Sequence, residues 1–291
     1  MENVKKLPAT SAAGLSGTAL KGTALFFMLL DHIHYMFAFT GAIPEVFGMV
    51  GRLSADLFLF CLIEGFTHTH DRKKYFFRVM IVSAGMGLVR FFMQWGGLFN
   101  RPDGFYPANA IMTNFVILMV LWQGMDWLGQ KRWLRGLTAV LLPLVWPFII
   151  NILSMLITTP PMPTVFGLLA YTLLPSIDMI GQDGGFNYIL LGVVLYALRN
   201  HRKLQLSAYV VFKLLFDFVL TALQIQRMAP DFHWYQMFTT YYEWFGVFSV
   251  LFMLCYNGKR GSGHQKLFYI FYPAHIYLLF ALSWGVYVML N

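Results

Sequence analysis

From residue 20 to the last residue the chain alternates long apolar runs with short polar breaks. The runs cover residues 22–39, 46–66, 75–95, 108–128, 136–157, 164–180, 186–198, 206–224, 241–256 and 267–290. Most reach the 17–25 residues that carry a helix across roughly 30 Å of hydrocarbon. They are solid blocks, without the ~10-residue alternation of a transmembrane barrel. The pattern therefore predicts an all-α, polytopic transmembrane helical bundle. Residues 1–19 form an N-terminal tail and residues 20–291 a single transmembrane domain, since no linker, repeat or low-complexity segment divides the chain.

The basic loops HDRKKYFFR, GQKRWLRG, RNHRKLQ and NGKRGSGHQK contrast with TGAIPE and TTPPMPT, which carry no Lys or Arg. Cytoplasmic loops are enriched in cations, so the first four face the cytoplasm. Three runs separate the second and third basic loops, an odd number for loops on one side. Either one segment, best the Pro- and Asp-interrupted stretch 164–186, is re-entrant or tilted, or one basic loop faces outward, and nine or ten crossings are expected. The N-terminal tail is expected to be cytoplasmic and uncleaved, because the first apolar run is too long for a signal-peptide core.

Composition supports a lipid setting. Hydrophobic residues make up 58% and charged residues 12%, against about 25% charged in soluble domains. The net charge of +8 is spread over short loops, so it fits membrane topology and argues against a nucleic-acid partner. Cys61 and Cys255 lie in or beside apolar runs, where a thiol acts as a small hydrophobe.

The informative residues are the charges inside the runs, since each costs about 2.5–3.5 kcal/mol at the bilayer centre unless it faces protein or water. Asp31 and His32 sit midway along the first run. Neighbouring helical positions diverge by about 100°, so their partners must come from other helices. His32 and His34 point to nearly opposite faces, which makes HIH a poor metal clamp, and no metal is expected. Arg52 with Asp56, and Lys213 with Asp217, are four apart and share a helix face, the arrangement of an intrahelical ion pair. Glu64 lies near the cytoplasmic end of the second run and His275 a third of the way into the last.

The stretches LKGTALFFMLLDHIHYMF, GRLSADLFLFCLIEGFTHTHDRKKYFFR and FYIFYPAHIYLL resemble the TraX family, with weaker echoes in NAIMTNFVILMVLWQG and QDGGFNYILLGVVLYALR. Its members are integral membrane proteins of conjugal transfer linked to N-terminal acetylation of pilin. The family's DH falls on Asp31 and His32, its GR on Gly51 and Arg52, its EG on Glu64 and Gly65, and its late FY plus histidine on Phe271, Tyr272 and His275. Asp56 stands outside the resemblance, and Asp183 answers only in part to a DYG signal.

The resemblance implies an acyltransferase-like membrane domain using acetyl-CoA. His32, or secondly His275, would be base or transient acyl carrier, Asp31 would orient an imidazole, and Arg52 would stabilise an oxyanion or pair with a carboxylate. Arg72, Lys73, Lys74 and Arg78 would meet the coenzyme phosphates on the cytoplasmic side. The implied acceptor is a pilin amine or a similar envelope group, and the implied location the bacterial inner membrane. The same buried Asp, His and Lys also suit a proton-coupled transporter, the alternative function.

Overall fold

In a computed structural model, residues 14–173, 184–229, 231–263 and 265–291 are described, and they are helical nearly throughout. The chain divides into two units. The first comprises Met1–Glu64 and Leu198–Gln265, the second Gly65–Ala197 and Lys266–Asn291.

In the first unit, α1 (Gly17–Phe37) starts where the Ser16 hydroxyl accepts the Ala19 N–H, capping one of the helix's orphan donors. Its buried residues are Leu20, Ala24, Met28, His32 and Met36, a strict four-residue spacing that gives one inward stripe. The helix ends in a tight turn (Ala38–Thr40) closed by Gly41 at φ 65°, a left-handed conformation that glycine adopts without a Cβ clash. Helix α2 (Val46–His68) packs on α1, the Ser54 hydroxyl donating to the Ala24 carbonyl across 2.9 Å. The start of α1 and the residues just before it are tied by backbone bonds from Leu15, Gly17 and Thr18 to the 255–260 loop.

The second unit holds α3 (Arg72–Gln94), α4 (Ile111–Gly129), α5 (Trp133–Leu156), α6 (Met162–Thr172) and α7 (Gly185–Ala197). Small residues bring these helices close. A Cβ on Gly87 would strike the Tyr171 backbone of α6, and one on Gly124 would lie 2.9–3.0 Å from Val140 and Ala139 of α5. Trp122 of α4 stacks on Tyr196 of α7 at 4.9 Å and donates to the Gly192 carbonyl at 3.1 Å. The outer side of α5 exposes Leu137, Leu141, Val145, Phe148 and Ile152, an apolar face suited to lipid.

The first unit is completed by α8 (Arg202–Met228) and α9 (Tyr242–Leu254). Helix α8 widens to π-helical winding over Lys213–Leu220, a distortion often found at functional positions. Helix α10 (Gln265–Leu290) closes the second unit.

Among the described residues, seven helices are long and apolar enough to cross a membrane: α1 to α5, α8 and α10. This is fewer than the nine or ten crossings expected. Among the described residues, α6 has 11 residues and α7 has 13, a rise of only about 16–20 Å. Apolar composition alone does not distinguish such helices from full spans. The remainder of the 164–180 run falls partly outside the described residues. At α9, the run read as 241–256 resolves into a 13-residue apolar helix whose opening turns, Tyr242–Phe248, are wound tightly as 3-10 helix.

Candidate functional site

The inward stripe of α1 places His32 in the interior of the first unit, 5% exposed, with Met28 and Met36 one turn to either side. Asp31, the next residue, turns towards α2. Two glycines of α2 make room there. A Cβ on Gly51 would overlap Asp31, and one on Gly48 would lie 2.9 Å from Nδ1 of His34 and 2.7 Å from the Tyr242 hydroxyl. His34, on another side of α1, pairs with Glu45 at 3.3 Å near the surface.

Asp31 occupies the space opened by Gly51, and there it meets the guanidinium of Arg52. The guanidinium binds Asp31 through Nη2, Glu243 of α9 through Nη1 at 2.7 Å, and its own Gly48 carbonyl through Nε at 3.2 Å. Asp31 thus holds a guanidinium where an imidazole was expected. Arg52 does not pair with Asp56, because the long side chain reaches across the helix interface to two carboxylates.

Asp56 lies one turn deeper and is 2% exposed. Its Oδ2 lies 3.2 Å from Lys213 Nζ and 2.9 Å from the Tyr209 hydroxyl oxygen. Lys213 also pairs with Asp217, as the spacing predicts. Tyr209 in turn contacts the Gly246 carbonyl of α9. Gly246 must be glycine for this packing, since a Cβ would stand 2.8 Å from Lys213 Nζ and Cε.

Side-chain exposure falls along the column, from 69% at Glu45 and 63% at Glu243 to 28% at Arg52, 21% at Asp31, 17% at Asp217, 9% at Lys213 and 3% at Asp56. The groups therefore form a graded series from surface to core.

Glu64 pairs with Arg202 at 2.6 Å, and that guanidinium lies 4.5 Å over the Phe60 ring. This contact anchors the start of α8 to the end of the first unit's part of α2.

In the second unit, His275 is 5% exposed, stacks on Phe271 at 4.9 Å and places Nδ1 2.8 Å from the Phe271 carbonyl. A carbonyl only accepts, so Nδ1 carries the hydrogen and the neutral ring keeps its basic lone pair on Nε2. Arg72 bonds Asp126 at 2.6 Å, and Asp126 also accepts from the Tyr196 hydroxyl at 2.9 Å. Lys73, Lys74 and Arg78 are exposed along the first turns of α3. Asp183 lies outside the described residues.

The TraX family model, described as "TraX protein", matches residues 16–283. The chain belongs to the TraX family. It is 26% identical to the probable fimbrial assembly protein FimC, serogroup H1, of Dichelobacter nodosus over 273 residues, covering 91% of this chain and 94% of the relative. No solved structure matches. Of the positions matched to TraX motifs, Asp31 and Arg52 meet directly. His32 belongs to the same unit and His275 to the other.

Sequence reasoning missed Glu243, Tyr209, Glu45 and Asp126. Tyr209 was within reach, since Tyr209, Lys213 and Asp217 recur every four residues on one face of α8. Glu243, set among aromatics in YYEWFG, carries no local signal of the arginine it meets.

Proposed function

We propose that this chain is an integral membrane acetyltransferase that moves an acetyl group from acetyl-CoA to a pilin N-terminal amine or a similar envelope acceptor in the bacterial inner membrane. Family membership and the fimbrial-assembly name of the relative support the pilin connection. The observation that carries the reading is His32, buried inside the first unit beside an aspartate fixed by Arg52.

In this reading the His32 imidazole takes a proton as the acceptor nitrogen attacks the thioester carbonyl. The C–S bond breaks, and the departing thiolate is protonated to coenzyme A. A transient acetyl-imidazole is the nucleophilic variant of the same step. Asp31 and Arg52 hold the helix interface on which His32 sits. His275 is the second candidate base, through Nε2. Lys73, Lys74 and Arg78 are the exposed cations of α3 offered to the coenzyme phosphates, whereas Arg72 is committed to Asp126.

The test is mass spectrometry of pilin from cells with and without the gene. A gain of one acetyl group is expected with the wild-type gene and none with His32→Ala expressed at equal level. Acetylated acceptor in the His32→Ala cells removes His32 from the mechanism. A proton-coupled transporter is the second reading, favoured by the buried charges of α2 and α8. Acetyl-CoA decides between the two, because a ligand that binds only the folded protein must raise its thermal stability.

A further inference from the structure

Three oxygens stand in a row at the core of the first unit: Gly246 O, Tyr209 Oη and Asp56 Oδ2. A carbonyl oxygen only accepts, and a phenol has one hydrogen to give. Each contact has a full hydrogen of its own only if Asp56 brings one; otherwise the single phenol hydrogen is shared between two acceptors. With that hydrogen on Asp56, Tyr209 donates to Gly246, and Asp56 donates to Tyr209.

Charge balance leads to the same place. Lys213 is the cation that touches Asp56, and it is also paired with Asp217. Two ionised carboxylates on one ammonium would leave a net negative charge where Asp56 is 3% exposed, which burial opposes. A protonated Asp56 leaves the Lys213–Asp217 pair neutral. The other charged or titratable groups around the column do not supply the missing cation. From α1 come Asp31 and His34, which face Arg52 and Glu45. From α2 comes Arg52, divided between Asp31 and Glu243, and from α9 come Glu243 and Tyr242, the latter bonded to Glu45.

We infer that Asp56 is a proton-binding site, carrying an exchangeable hydrogen at neutral pH and passing it through Lys213 and Asp217 towards water at the Glu243 end. The step balances without a further reactant. Lys213 first gives one hydrogen to Asp217 Oδ2, and the Asp56 O–H then turns from Tyr209 to return one to the Lys213 nitrogen, so the ammonium is re-formed. Asp56 becomes a carboxylate held by Lys213 and Tyr209, and Asp217 becomes the acid. Asp217 then yields its hydrogen to water. Glu243, within electrostatic reach of Lys213 and 63% exposed, marks where the cluster meets the surface. The π-helical winding begins at Lys213 and runs through Asp217.

Protonation of this carboxyl is measurable without any substrate, by infrared spectroscopy of the full chain in phospholipid vesicles. Wild type at neutral pH should show the C=O stretch of a protonated carboxyl, shifted downward in heavy water. That band should be lost in Asp56→Asn. In Tyr209→Phe it should move to higher frequency, since the acid loses its acceptor while the ring keeps its size. The Tyr209→Phe arm stands even if Asp56→Asn fails to fold. Absence of the band in wild type, its survival in Asp56→Asn, an unchanged position in Tyr209→Phe, or no shift in heavy water would each overturn the inference.

Discussion

Gly51→Ala tests whether the approach of α1 to α2 sets up the buried charges. The added Cβ would overlap the Asp31 side chain and stand 2.9 Å from the Asp31 Cα and 2.5 Å from Oδ1. Ordinary carbon–carbon contact is about 3.5–4.0 Å, so the backbones must part by at least about 0.6 Å, and the Asp31 side chain must move further. That displacement pulls Asp31 away from Arg52 while Glu243 holds the other side of the guanidinium. Overpacking of this kind costs about 1–3 kcal/mol, or roughly 5- to 150-fold in the folded population at tenfold per 1.4 kcal/mol. The control is Gly22→Ala on α1, where a Cβ meets nothing within 4 Å. There the helix gains about 0.5–1 kcal/mol over glycine. Heating detergent-solubilised protein and measuring the monodisperse fraction by size-exclusion chromatography reads both. The expected order is Gly22→Ala at or above wild type and Gly51→Ala well below it. Equal melting of Gly51→Ala and wild type would mean that the helices do not approach as described.

The further predictions concern the second unit. Arg72→Ala should lower thermal stability by about 1–3 kcal/mol, because Asp126 and Tyr196 lose a charged, half-buried partner; the Lys73→Ala/Lys74→Ala pair should instead leave stability unchanged and weaken acetyl-CoA binding, measured by thermal shift against ligand concentration. Arg101, 4% exposed, grips Asp103 with bonds of 2.8–3.1 Å and lies over Phe105 and Tyr287, so Arg101→Ala should destabilise by about 1–3 kcal/mol. The Arg101 guanidinium holds the Asp103 carboxyl below the usual carboxylate range. Its contribution is therefore full above about pH 4 and lost as pH falls through the lowered value, so the gap between wild type and Asp103→Asn in melting temperature should close on acidification.

The fold class and helix positions were legible because lipid imposes a simple rule on composition: apolar runs of fixed length must be helical. The same rule gives no account of length within an apolar helix, which is why α7 and α9 read as spans. Chemistry-bearing residues were legible as types. A charge in a span announces itself, and Asp31, His32, Arg52, Asp56, Lys213, Asp217 and His275 are all inside helices that the pattern located. Partner choice was legible only where it is local. Lys213 and Asp217 pair along their own helix, but Arg52 ignores Asp56, because Gly51 lets α1 in and α9 supplies Glu243 from 191 residues away. A glycine in an apolar run and a glutamate among aromatics say nothing of each other until the helices are assembled.

That dependence has an energetic consequence for the first unit. Asp31, Arg52, Asp56, Lys213, Asp217 and Glu243, inserted singly at mid-membrane, would cost on the order of 15–20 kcal/mol together on insertion scales, more than the 5–15 kcal/mol by which folded domains usually exceed their unfolded states. Every one of the six has a cross-helix or same-helix partner. Asp31 and Arg52 neutralise each other on α1 and α2, yet Glu243 and Lys213, which complete the column, arrive only with α8 and α9. The first unit is therefore satisfied electrostatically only when the segment from residue 198 onward closes on residues 14–64. The backbone clasp between Leu15–Thr18 and the 255–260 loop joins those same two segments. The charged column is consequently complete only with helices that follow Asp31 by more than 150 residues.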